Sequence, residues 1–230
     1  MFYLYVLTIF TLTAAFIFAI SRVHGYERFS LYFKVLGSLG FVAIAIVCYT
    51  LNDSNPVYFG LMLLALLLGF SGDVFLGLKN LIPSKKIVVL SIGIVLFLLG
   101  HIVFTINYSI MAKIAWWVFV LNILGAVGIM TMTKVLKFKL SFTYKVLGYL
   151  YSYTISIMLV SAINYFMVFN VNVAAIYVLI GSILFYISDC LLSASYFKTD
   201  LRSTKWLNLI VHITYYFAQI LLALSVYFVQ

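Results

Sequence analysis

The chain has 230 residues, of which 66% are hydrophobic and 8% charged, with a mean hydropathy of +1.21. A soluble domain is nearer half apolar and a quarter charged, so the composition excludes a water-soluble fold and points to an integral membrane protein. The net charge of +9 does not suggest nucleic acid, because the lysines and arginines sit between apolar runs rather than along one face.

A spanning helix needs roughly 20 apolar residues. Eight such segments fill the chain, at about 2–20, 31–50, 57–78, 86–108, 114–132, 142–164, 172–195 and 205–228. The expected fold is an all-α polytopic membrane protein, one integral membrane domain over residues 1–230. Span 1 lacks the basic start of a secretory signal and reads as a retained helix. Arg22, Arg28 and Lys34 follow it, at the loop and edge leading into span 2, which opens on "FKVLGSLG" and carries Cys48.

Span 3 holds "LLGFSGDVFLGLK", with Asp73 inside an otherwise apolar run, and Lys79, Lys85 and Lys86 follow. Span 4 holds "LLGHIVFTINY" with His101 in mid-span, and Lys113 alone follows it. Lys134, Lys137, Lys139 and Lys145 lie between spans 5 and 6. Span 6 opens on "YKVLGYLY", and its Tyr149, Tyr151 and Tyr153 are candidates to line a cavity. Span 7 holds "LFYISDCLLSASYFK", with Asp189 and Cys190, and Lys198, Arg202 and Lys205 come next. Span 8 holds "HITYYFAQILLALS", which brings Tyr215, Tyr216 and Gln219 into the bilayer, with His212 nearer its start. There Tyr215 and Gln219 are i, i+4 neighbours, and Tyr216 and Gln219 are i, i+3.

All but one of the 14 basic residues fall on one side of this arrangement. By the positive-inside rule that side is cytoplasmic and both termini face away from it. A bacterial inner membrane is the expected location. The two cysteines fall inside apolar runs and are expected to be free, buried thiols.

The chain also repeats itself. The opening of span 2 recurs in span 6, and a common pattern, [GS]-D-x-x-L, occurs in spans 3 and 7. This suggests a parallel repeat of two four-helix halves, about 1–112 and 113–230. Asp73 is then six residues before Lys79 and Asp189 nine before Lys198, roughly 9–14 Å from the cytoplasmic boundary at 1.5 Å per residue.

A carboxylate in hydrocarbon costs on the order of 2.5–3.5 kcal/mol, and such residues face the bundle interior. Two close carboxyls tend to hold one proton between them, which equips a site for general acid–base chemistry. The plainer alternative is that each Asp only accepts hydrogen bonds between helices. Interfacial snorkelling is the plain reading of Lys34 and Lys145, with binding of an anionic head group the functional one for Lys34. For His101, and for the polar residues of span 8, interhelical hydrogen bonding competes with a site role. Three histidines without i, i+4 pairing give no zinc site. "GFSGD" lacks the spacing of a nucleophile elbow.

"LLGFSGDVFLGLK", "LGHIVFTINY", "GSILFYISDCLLSASYF" and "TYYFAQILLALS" together resemble the YhhN-like family of eight-span membrane proteins, which includes the lysoplasmalogenases. Val35 stands where that family often has proline. The resemblance implies hydrolysis of the vinyl ether bond of lysoplasmalogens, releasing a fatty aldehyde and a glycerophospho head group, with no cofactor and no metal. The implied partner is a lysophospholipid within the bilayer. Asp73 and Asp189 then become the catalytic pair. His101, Tyr153, Tyr216 and Gln219 would bind or orient substrate or water, and Lys34 would meet the phosphate. Two other functions fit the same residues: a proton-coupled transporter, since parallel repeats with intramembrane carboxylates also build transporters, and a lipid-binding scaffold.

Overall fold

The computed structural model describes residues 2–79, 81–135, 142–170, 172–197 and 205–229; for residues 129, 130, 132–135, 142–145 and 194–197 the description covers the backbone alone. Among the described residues there are eight α-helices and no strand. They are α1 (Phe2–Val23), α2 (Glu27–Asn52), α3 (Pro56–Leu78), α4 (Lys86–Ala112), α5 (Trp116–Val135), α6 (Phe142–Phe169), α7 (Val173–Phe197) and α8 (Lys205–Ser225). Each expected span falls on one of these helices. Seven are long and apolar enough to cross a membrane, whereas the described apolar stretch of α5 is the shorter Trp116–Gly128. The protein is a multi-pass, all-α membrane protein. Lys137, Lys139, Lys198 and Arg202 lie outside the described residues, as do the side chains of Lys134 and Lys145.

The connections are short and locally specified. Gly25, at φ +80°, turns the chain between α1 and α2, where Arg22 pairs with Glu27. Asp53 ends α2 in the left-handed conformation at φ +41°, which aspartate tolerates better than a bulky residue. Asn55 caps α3, its side-chain oxygen accepting from the backbone N–H of Val57 and Tyr58 at 3.0 Å each. Pro56 follows at the first helical position, where its missing N–H has no cost.

Lipid is as apolar as leucine, so helices in a bilayer associate through close packing and polar ties rather than through exclusion of water. Both devices are present. A Cβ on Gly72 of α3 would lie 2.7 Å from Phe97 Cε2 and 3.3 Å from the carbonyl oxygen of Gly93, so glycine is what lets α3 and α4 meet. Asn107 of α4 donates to the Tyr58 carbonyl at 3.1 Å. The Tyr58 hydroxyl meets Ser225 Oγ at 2.6 Å, joining α3 to the end of α8. Asn164 of α6 donates to the Lys113 carbonyl at 3.1 Å, fastening the end of α4.

The helix carrying Asp73 packs against α2, α4 and α8, and the helix carrying Asp189 packs against α6 and α8. Helix α8 also crosses to α2, and α4 crosses to α6. Cys48 is free and buried, whereas Cys190, also free, is exposed on the outer face of α7 and not buried as expected. One residue past Asp189, the helix has turned about 100° away from the interior.

Candidate active site

Every charge buried in an apolar bundle has to be met by a partner. On α2, Lys34, Ser38, Phe41, Ala45 and Cys48 recur at helical spacing and are all buried. The two polar members of this stripe turn toward Asp73 on α3. Lys34 Nζ lies 2.9 Å from Asp73 Oδ1, with the lysine side chain 9% exposed and the aspartate side chain 2%. This corrects the snorkelling expectation for Lys34, and it occupies with Asp73 the ammonium that was expected to meet a phosphate. Lys34 Nζ also lies over the Phe18 ring, 5.4 Å from its centroid.

Asp73 Oδ2 accepts two hydroxyl hydrogen bonds, from Ser38 Oγ at 2.6 Å and from Tyr215 on α8 at 2.7 Å. Tyr216, next in the chain, donates to the Lys34 carbonyl at 3.0 Å and lies 3.3 Å from Ser38 Oγ. A Cβ on Gly37 would stand 2.9 Å from Tyr216 Cε1, so the glycine of "FKVLGSLG" makes the seat for this ring. Asp73 thus has both oxygens occupied by an ammonium and two hydroxyls, a donor set that satisfies a carboxylate.

Asp189 on α7 has a different set of partners. Its Oδ2 accepts from the Tyr151 hydroxyl of α6 at 2.5 Å and lies 3.2 Å from His101 Nε2 of α4. The same imidazole nitrogen is 3.2 Å from the Tyr151 oxygen. The other ring nitrogen, Nδ1, is 3.2 Å from Met158 Sδ. Tyr151 and Met158 are seven residues apart, two turns along one face of α6, and they take the two nitrogens of one histidine between them.

A wall of aromatic rings joins the clusters. Tyr215, bound to Asp73, packs against Phe185 at 5.5 Å between centroids and Phe97 at 5.9 Å, and Phe185 packs against His101 at 4.7 Å. Phe185 is one turn before Asp189, and Phe97 one turn before His101. Each acid–base group therefore brings its own ring to the shared wall.

Gln219 lies beside it. It is wholly buried, and neither atom of its amide has a hydrogen-bond partner among the described residues. Its Nε2 faces the bare backbone of Gly69, one turn before Asp73, where a Cβ would stand 3.3 Å away. Tyr215 Oη lies near the same spot, 3.8 Å from that Cβ position.

Of the residues expected at a site, the structure gathers Asp73, Asp189, Lys34, His101, Tyr216 and Gln219 in the bundle interior. Tyr153 is not among them. It is 42% exposed on the outer face of α6, and Tyr151 takes the inward place. Ser38, Tyr215 and Met158 join the two carboxylate clusters without having been expected there. For Ser38 a signal existed, since it follows Lys34 by one helical turn. For Met158 there was none, because one methionine in an apolar helix looks like any other.

The fold and the interior acid–base groups define a polytopic helical membrane protein with a polar centre built by side chains of α2, α3, α4, α6, α7 and α8. A family model described as the YhhN family matches residues 29–226, and the chain belongs to that family, which includes lysoplasmalogenases. No curated protein matches the chain, and no solved structure does.

Proposed function

We propose that this protein is a lysoplasmalogenase-like hydrolase that cleaves the vinyl ether bond of alkenyl lysophospholipids, releasing a fatty aldehyde and a glycerophospho head group. The observation that carries the reading is the pair of buried aspartates with unlike partners on either side of one aromatic wall. Family membership supports the same reaction class.

The chemistry asks for an acid and a base in a greasy site. A carboxylic acid protonates the outer carbon of the alkenyl double bond. The π electrons form the new C–H bond, and an oxocarbenium ion results. Water adds to the cationic carbon and loses a proton to a carboxylate. The hemiacetal then collapses: its C–O bond to glycerol breaks, the glycerol oxygen takes up a proton, and the aldehyde leaves. The proton count closes on vinyl ether plus water giving aldehyde plus alcohol. This division of labour parallels the carboxyl pair of glycosidases. Asp73 and Asp189 take the two carboxyl roles, Tyr215 and His101 hold them in place, Tyr216 orients the substrate or water, and the amide of Gln219 is suited to hold the water or a glycerol hydroxyl.

We also place both termini outside the cytoplasm, in a bacterial inner membrane, on the distribution of loop lysines and arginines. Since both aspartates lie in the C-terminal third of their helices, substrate would enter from the cytoplasmic leaflet.

The test is incubation of the purified protein with alkenyl lysophosphatidylethanolamine and alkenyl lysophosphatidylcholine, with detection of free aldehyde. Aldehyde release is the expected result. No release, together with movement of unaltered substrate across sealed vesicles, would instead identify a transporter.

A further inference from the structure

The partners of His101 distinguish the two carboxyls. A thioether sulfur accepts hydrogen bonds and has no proton to give. With Met158 Sδ 3.2 Å from Nδ1, an imidazole bearing its only proton on Nε2 would point the Nδ1 lone pair at the sulfur lone pairs. Two acceptors would then face each other in a site that is wholly buried around the ring. With the proton on Nδ1, that nitrogen donates to the sulfur. Nε2 must then meet Asp189 Oδ2 across 3.2 Å through one further proton, carried either as Oδ2–H donating to Nε2 or as Nε2–H donating to Oδ2. Tyr151 donates to Oδ2 at 2.5 Å in both cases.

The charge count agrees. Asp73 is neutralised by the ammonium of Lys34. Among the described residues Asp189 pairs with no lysine or arginine; its partners are His101 and Tyr151. An Asp189–His101 pair lacking the extra proton would leave a net negative charge beside Phe185 and His101's apolar neighbours, which is costly in a bilayer.

We propose that the Asp189–His101 pair stores the proton of the reaction, that Asp189 is its acid and Asp73 the standing carboxylate, and that Met158 is a positioning residue that holds His101 in the Nδ1–H form. The inference deepens the hydrolase reading and rests on it for the word "acid"; the proton inventory stands on the geometry alone. In the reaction the stored proton passes from Oδ2 to the alkenyl carbon, the O–H electron pair stays on Asp189, and the proton released by the attacking water restores the pair.

The test is nitrogen NMR of the 15N-histidine-labelled full-length protein in lipid nanodiscs. The chain has three histidines, so the His101 signals are assigned by replacing His24 and His212 singly. The expected spectrum has a proton on Nδ1 of His101, with Nε2 in a strong hydrogen bond. In Met158→Leu, the proton moves to Nε2 and kcat falls roughly tenfold with KM unchanged, the pattern of a lost transition-state contribution. In Met158→Gln, whose side-chain carbonyl can accept the same hydrogen bond, the Nδ1–H signature returns. A bare Nδ1 in the wild-type protein overturns the proposal, and so does a Met158→Leu variant with unchanged His101 signals. If the leucine variant does not fold, the wild-type spectrum decides alone. An Nδ1–H spectrum in a protein that releases no aldehyde leaves the proton inventory intact and sinks the hydrolase reading.

Discussion

Tyr215 donates to Oδ2 of Asp73 at 2.7 Å, and its ring stacks edge-on against Phe185 with centroids 5.5 Å apart. One residue on α8 thereby touches the carboxylate of α3 and the aromatic wall that leads to Asp189 on α7. Removing its hydroxyl alone keeps the wall and loses the donor. Tyr215→Phe is expected to remove a hydrogen bond to a charged group, worth about 1.5–3 kcal/mol, and to lower turnover by roughly ten- to a hundredfold. Steady-state rates of aldehyde release, beside thermal unfolding in detergent, check both.

The ion pair of Lys34 and Asp73 separates stability from function. Removing one partner leaves the other charged and buried, so Lys34→Met alone is expected to destabilise by about 3–5 kcal/mol. In the double variant Lys34→Met, Asp73→Leu both charges are gone, and much of that stability is expected to return while activity does not. Unfolding midpoints of the single and double variants, read with their activities, test this.

Gln219 gives the opposite sign. Both atoms of its buried amide lack a partner among the described residues, and such a group costs roughly 1–3 kcal/mol. Gln219→Leu is therefore expected to raise the unfolding temperature and to lower activity. A residue kept only for packing would not show that trade, and a stabilised variant with full activity would remove Gln219 from the site.

The two tyrosines of α6 make a matched pair. Tyr151→Phe removes the donor to Asp189 Oδ2 and is expected to cut turnover at least tenfold. Tyr153→Phe, on the exposed face, is expected to keep full activity and to change stability by less than about 0.5 kcal/mol.

That pair also marks where the sequence stops being legible. Eight apolar runs could be counted because hydrocarbon thickness sets helix length. Asp73, Asp189 and His101 stood out because a polar group in such a run must turn inward. Which of Tyr151 and Tyr153 turns inward was not readable. They sit about 200° apart on the helix, and a helix surrounded by lipid and protein is apolar on every face, so no polar side announces its phase. Lys34 was misread for a related reason. A lysine near a helix end can reach the interface or a buried acid, and its acid lies 39 residues further on in another helix.

Gly72 is the structural control. Its hydrogen faces Phe97 and the carbonyl of Gly93, so Gly72→Ala overpacks the α3–α4 contact and is expected to cost about 1–3 kcal/mol. Because Phe97 belongs to the aromatic wall, turnover is expected to fall with stability. Unfolding and aldehyde release measured on one preparation would show the two losses together.

The central claim is that two unlike buried carboxyls protonate and hydrolyse a vinyl ether. The most direct measurement is turnover of an alkenyl lysophospholipid in D2O, with the aldehyde reduced as it forms and weighed by mass spectrometry. The account predicts one deuterium on the carbon next to the carbonyl in the wild-type product, and loss of that product in both Asp73→Asn and Asp189→Asn. Full turnover in folded preparations of both variants, or an aldehyde without that deuterium, would contradict it.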